Sequence, residues 1–112
     1  MQLISAIVRP TKVGQICTAL QTLGFHGATV TDASGLGKLR GRTEIYRGAK
    51  YTSEFQQHGK LEIIVRDDDV QDVIDAICAV AFTGAMGDGK IWVTTVGGLV
   101  RIRTREMDSD AL

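Results

Sequence analysis

The apolar and polar positions of the chain follow one order, strand, helix, strand, and then repeat it. Leu3 to Val8 is a short apolar run ending at Arg9-Pro10, and it predicts a buried strand. Pro10 has no amide hydrogen to lose, so it suits a strand end or a helix start. Val13, Ile16, Cys17, Leu20 and Leu23 then recur at helical spacing and predict an amphipathic helix. Thr11 stands where an N-cap is wanted and Gly24 just past the C-terminus. Ala28 to Asp32, centred on Val30, reads as a second strand.

The second half runs the same plan. Leu61 to Arg66 echoes Ile4 to Arg9. Asp67 to Asp69 put a cap and negative charge at the start of the next helix, where the helix dipole favours them. Val70, Val73, Ile74, Ile77, Cys78 and Ala81 form that helix's stripe, and Ile91 to Val96 is a β-branched run that reads as a strand. The implied fold class is α+β, a ferredoxin-like sandwich of double βαβ design with one long loop between its second and third strands. Two helices cover one face of a four-stranded sheet. Because strand residues are apolar on both sides, the other face is expected to be covered by further copies of the chain.

Between the halves lies a segment of about 36–59, much longer than ordinary connections, of the kind that carries function. It holds Lys38, Arg40, Arg42, Arg47 and Lys50 with Tyr46 and Tyr51, and little that could form a core. Such a segment suits contact with a partner, or a change of order when a ligand binds.

Composition narrows the classes. At 112 residues the chain is one domain, spanning 1–112. A formal net charge of +0 argues against general nucleic-acid binding. No apolar run approaches the about 20 residues that a membrane span needs, and no secretory leader is visible. Cys17 and Cys78 sit among apolar residues at helical spacing, as reduced core residues of a cytoplasmic protein would. With two histidines, His26 and His58, the chain shows neither zinc-ligand spacing nor a Ser/His/Asp set, so no metal site and no catalytic residue is expected.

The chemistry concentrates in TGAMGDGKIWVTTVGGLVRIR, residues 83–103. A glycine-rich turn (Gly84, Gly87, Gly89) encloses Asp88 and ends on Lys90. Arg101 and Arg103 alternate with Val100 and Ile102, which in an extended segment aims both guanidinium groups to one side. Bare amides, a lysine and paired arginines make a polyphosphate site. Asp88 has a second reading, as the cap of the turn itself.

These features resemble the PII signal-transduction proteins over nearly the whole chain. TGAMGDGKIWVTTV is similar to one signature of that family, and YRGAKY, residues 46–51, to the other, with Lys50 as a departure. IVRPTK, GLGKLRGRTEIYRG and RIRTRE match as well. The resemblance implies a homotrimer that binds an adenine nucleotide (ADP, AMP or ATP) in the clefts between subunits. Gly87, Asp88, Gly89 and Lys90 would hold phosphates, and Arg101 and Arg103 would reach in from the neighbour. Ile7, Thr29, Glu62 and Ile64 would surround the base, with Gly35, Gly37 and Lys38 at the base of the long loop. Tyr51 falls where some relatives are modified.

Three positions depart from nitrogen-sensing members, which have glutamine at Leu39, lysine at His58 and arginine at Lys38. Leu39 offers no oxygen to Mg²⁺, and His58 is a weaker carboxylate anchor than lysine. Weak or absent 2-oxoglutarate binding is expected. Lys38, Arg40, Arg47 and His58 would then receive a smaller anion, bicarbonate. The loop would control a target protein, a membrane transporter or an enzyme, without membrane insertion of the chain itself. The alternatives are a nitrogen-regulatory protein that senses 2-oxoglutarate, a slow ATPase and a purely structural trimer.

Overall fold

In a computed structural model, residues 1–36 and 55–112 are described in full, and 43–46 and 49–52 by their main chain. The strands are β1 (Gln2–Val8), β2 (Ala28–Gly35), β3 (Thr43–Tyr46), β4 (Ala49–Thr52), β5 (Gln56–Val65) and β6 (Lys90–Thr95). The helices are α1 (Val13–Thr22) and α2 (Val70–Ala81). Four strands form one antiparallel sheet in the order β2-β5-β1-β6, while β3 and β4 pair with each other. Each helix crosses from one strand to another that is not its neighbour, with a third strand between. This is the ferredoxin-like α+β sandwich read from the sequence.

Alternation decides which face meets the helices. Ile4, Ala6 and Val8 of β1 and Leu61, Ile63 and Val65 of β5 point to one side. There they meet Ile16 and Leu20 of α1 and Val73, Ile77 and Ala81 of α2. The opposite face carries Leu3, Ser5 and Ile7, with His58, Lys60, Glu62 and Ile64 beside them on β5 and Lys90, Trp92 and Thr94 on β6. Trp92 is 43% exposed there, and the Lys60 ammonium stands 6.0 Å from its ring centre. Among the described residues, neither helix covers this face.

Several local expectations are corrected. Thr11 does not cap α1: a 3-10 turn, Pro10–Lys12, precedes the helix, and its first residues have no side-chain cap. Asp67–Asp69 form a similar turn without a side-chain cap, and the Asp67 carboxylate accepts from Gln2 Nε2 instead. Gly24 does close α1: at φ +94° its amide donates to Gln21 O, and the Phe25 amide to Leu20 O. Leu23 is 53% exposed and Cys78 is exposed, so neither belongs to the core; both cysteines are free thiols. Strand β2 runs on to Gly35, and β5 begins at Gln56 rather than after Gly59. The long connection is thus shorter than 36–59, and it contains the β3–β4 hairpin.

Ile77 is fully buried between the helices and the sheet, so Ile77→Ala should lose about 2–5 kcal/mol of stability in denaturant unfolding. Leu23→Ala, at a half-exposed site, should change it by less than about 1 kcal/mol.

Candidate functional site

The glycine-rich turn is held by its own aspartate. Asp88 Oδ2 accepts from the amides of Thr83 (2.8 Å) and Gly84 (3.0 Å), and its Oδ1 from the Thr83 hydroxyl. Arg9, at the end of β1, completes the arrangement. Its Nε donates to Asp88 Oδ1 at 3.2 Å and its Nη2 to Met86 O at 2.8 Å. The Asp88 carboxylate therefore faces into the turn as a cap. What this segment has to offer an anion is main chain, in the amides of residues 87–89 that this network leaves out, and Lys90. At Gly89 a Cβ would lie 1.6 Å from the Ile7 carbonyl oxygen, and φ is +105°, so only glycine lets the turn rest on β1.

The turn forms one wall of an open groove of about 940 Å³. Ile7, Gly35, His58, Gly87, Gly89 and Lys90 line it, joined by Gln56, Met86 and Trp92. His58 stands close against Gly35: a Cβ on that glycine would lie 3.0 Å from ring atom Cδ2 and 3.2 Å from Nε2. His58 Nδ1 is buried and has no hydrogen-bond partner among the described residues, an unmet group of the kind that buried structure seldom tolerates.

Thr29, Glu62 and Ile64 line a different groove, of about 690 Å³, with Arg66, Leu99, Ala111 and Leu112. The two grooves share no lining residue. Thr29 pairs with Glu62, and Ile64 with Leu3, while Lys90 pairs with Ile7. The second groove thus opens toward the far end of β1 and β5 from the glycine turn. One chain brings Ile7, Gly35, Gly87, Gly89 and Lys90 together and leaves Thr29, Glu62 and Ile64 apart from them.

Arg101 and Arg103 are not in a strand. Among the described residues the segment pairs through one isolated bridge, Val100 to Met107, and residues 102–104 turn back. Alternation along a strand therefore does not aim the two guanidinium groups, which corrects the expectation. Arg101 instead donates to Glu106 Oε1 (3.3 Å), Leu112 O (2.8 Å) and Ala111 O (3.4 Å). Gly37, Lys38, Leu39, Arg40 and Arg47 lie outside the described residues, as does the side chain of Tyr51. Sequence reasoning missed Arg9 as part of the site. Its contacts cross 77 and 79 positions, and the local signal was only an arginine before a proline at a strand end. It also missed Trp92, because nothing in the pattern says which strands are neighbours.

The hydrogen bonds from the Thr83 hydroxyl, then from the Thr83 amide, hold the Asp88 carboxyl down to about 2, from an ordinary 3.8; the Gly84 amide and Arg9 add to this. The folded pKa lies below the unfolded one. The carboxylate's contribution to stability is therefore complete above about pH 4 and is lost as pH falls toward 2. In urea unfolding followed between pH 5 and 2, the wild-type chain should lose stability across that window. Asp88→Asn should start lower and show a flatter profile.

Comparison with known proteins agrees with this architecture. A family model described as "Nitrogen regulatory protein P-II" matches residues 1–106. Nitrogen regulatory protein P-II of Mesorhizobium japonicum is 46% identical over 112 residues, covering 100% of both chains. The protein of the same name from Azospirillum brasilense is also 46% identical, again over 100% of both. Among solved structures, Arabidopsis thaliana PII bound to citrate superposes with a TM-score of 0.80 at 36% identity, over 98% of this chain and 87% of that one. With its sandwich, its Asp88-capped glycine turn and this match along almost its whole length, the chain belongs to the nitrogen regulatory P-II family.

Proposed function

We propose that the chain is a homotrimeric, cytoplasmic regulator that binds an adenine nucleotide between subunits and acts on a partner protein through its long connection. The observation that carries this reading is the separation of the two grooves. Residues expected around one ligand stand at opposite ends of one sheet face. A head-to-tail ring of protomers would bring the Gly87–Lys90 end of one against the Thr29–Glu62–Ile64 end of the next, with Arg101 and Arg103 of that neighbour. The same contact would cover the exposed sheet face. Lys90 and the amides of the turn would take the phosphates, and the strand residues of the neighbour the base.

The effector is proposed to be a small anion, bicarbonate, sensed together with ADP, AMP or ATP. Two features support this. The Leu39 side chain cannot give an oxygen to a cation, and His58 lines the groove that Lys90 also lines. The regulated target would be a transporter or an enzyme that the long connection touches, each ligand shifting the connection by its unequal affinity for two states. A second reading, sensing of 2-oxoglutarate with ATP, draws on the 46% identity with nitrogen regulatory proteins. The ATPase reading gains nothing from the turn, since the Asp88 carboxylate is engaged as its cap.

Titration calorimetry separates these. ADP binding is expected, and Lys90→Ala should weaken it by about 1–3 kcal/mol, the worth of a lost charge-assisted bond. ADP affinity should change across millimolar bicarbonate. Tight 2-oxoglutarate binding with ATP and Mg²⁺ would favour the second reading. A monomer by light scattering that binds no adenine nucleotide would end the first.

A further inference from the structure

The Arg101 guanidinium already has occupants. A guanidinium grips a phosphate in two-pronged fashion along either of two edges, Nε with Nη2 or Nη1 with Nη2. Both edges use Nη2. In this structure Nη2 donates to the main-chain oxygens of Leu112, at 2.8 Å, and Ala111, at 3.4 Å. Nη1 is engaged by Glu106 at 3.3 Å. Neither edge is open.

These occupants all lie in one short segment, and its fold delivers them. Arg105 and Asp108 adopt φ of +60° and +53°, which turn the chain back on itself. The Arg101 amide donates to Glu106 O, the Asp108 amide to Leu99 O and the Asp110 amide to Met107 O. Arg66, at the end of β5, holds Ser109 O at 3.4 Å. The same segment walls the second groove through Ala111 and Leu112, beside Thr29, Glu62 and Ile64. It stands both on the arginine and at the mouth of the groove that the arginine would serve.

We propose that residues 106–112 are an internal substitute for phosphate, which a bound nucleotide must displace from Arg101. Occupancy of the nucleotide site would then be reported by a second segment besides the long connection: the tail is docked when the site is empty and released when phosphate takes the two-pronged edge. The inference rests on the nucleotide reading above. The exchange is close to balanced by design, because the guanidinium trades carbonyl and carboxylate oxygens for phosphate oxygens and is left bare in neither state.

Hydrogen exchange on the full chain, with and without saturating ADP, tests this. Amides of residues 106–112, among them the hydrogen-bonded Asp108 and Asp110, should exchange faster once ADP is bound, by about ten-fold or more. Glu106→Gln removes the charge of one of the occupants, at a half-exposed ion pair, and so weakens its hold on Arg101. It should tighten ADP binding about two- to five-fold and speed tail exchange in the ligand-free chain. Saturable ADP binding with unchanged or slower tail exchange overturns the inference and leaves the nucleotide reading standing. ADP binding that Glu106→Gln weakens also overturns it, since the tail would then be holding Arg101 ready for phosphate. Failure to bind ADP at all removes the reading beneath it, and the inference with it.

Discussion

The site depends on one close approach, that of Gly89 to the carbonyl of Ile7. A single extra carbon at Gly89 would overlap that oxygen, so the glycine-rich turn can sit on β1 only with its backbone bare. Everything else in the turn serves this placement. Asp88 gathers the amides at the start of the turn, and Arg9 ties both the carboxylate and the Met86 carbonyl to the end of the same strand. A carboxylate beside a candidate phosphate site looks like an error of charge until its direction is known. It is turned inward and matched by a guanidinium, and the amides of residues 87–89 remain outside that network.

A sheet with one covered face has two ends as well as two sides, and this chain uses both. The glycine turn and His58 are at one end; Thr29, Glu62 and Ile64 are toward the other. The open face between them is not greasy throughout. Lys60 bonds Glu62 at 3.6 Å and stands over Trp92, while Ser5, directly opposite Glu62 and Trp92, is nearly inaccessible. Such a face mixes apolar area with fixed charge pairs. That combination favours one docking geometry over the many that a uniform apolar face would accept.

The main elements were legible because burial writes its own period. Ile4, Ala6 and Val8, and again Leu61, Ile63 and Val65, alternate because every second side chain faces the helices. The helix stripes were legible for the same reason. The misreadings share a different cause, namely partners distant in sequence. Val100 to Arg103 alternates like a strand, but a strand needs a neighbour, and among the described residues only Val100 finds one, in Met107. Gln56 to His58 look like loop residues, yet they lie in β5 because β2 extends to meet them. Arg9 and Asp88 meet across most of the chain, where no local pattern reaches. The N-cap expectations failed because a 3-10 turn precedes each helix and moves its first residue downstream.

The pairing of Gly35 with Gln56 has a consequence for how this chain can vary. The sheet itself brings the two ends of the long connection side by side. Closing that excursion thus costs the core little that depends on its length, because closure entropy grows only slowly as residues are added. The segment between those two residues can be lengthened, shortened or rewritten while the sandwich below keeps its register. One scaffold can therefore carry connections of different length and composition, with no need to solve its folding problem again.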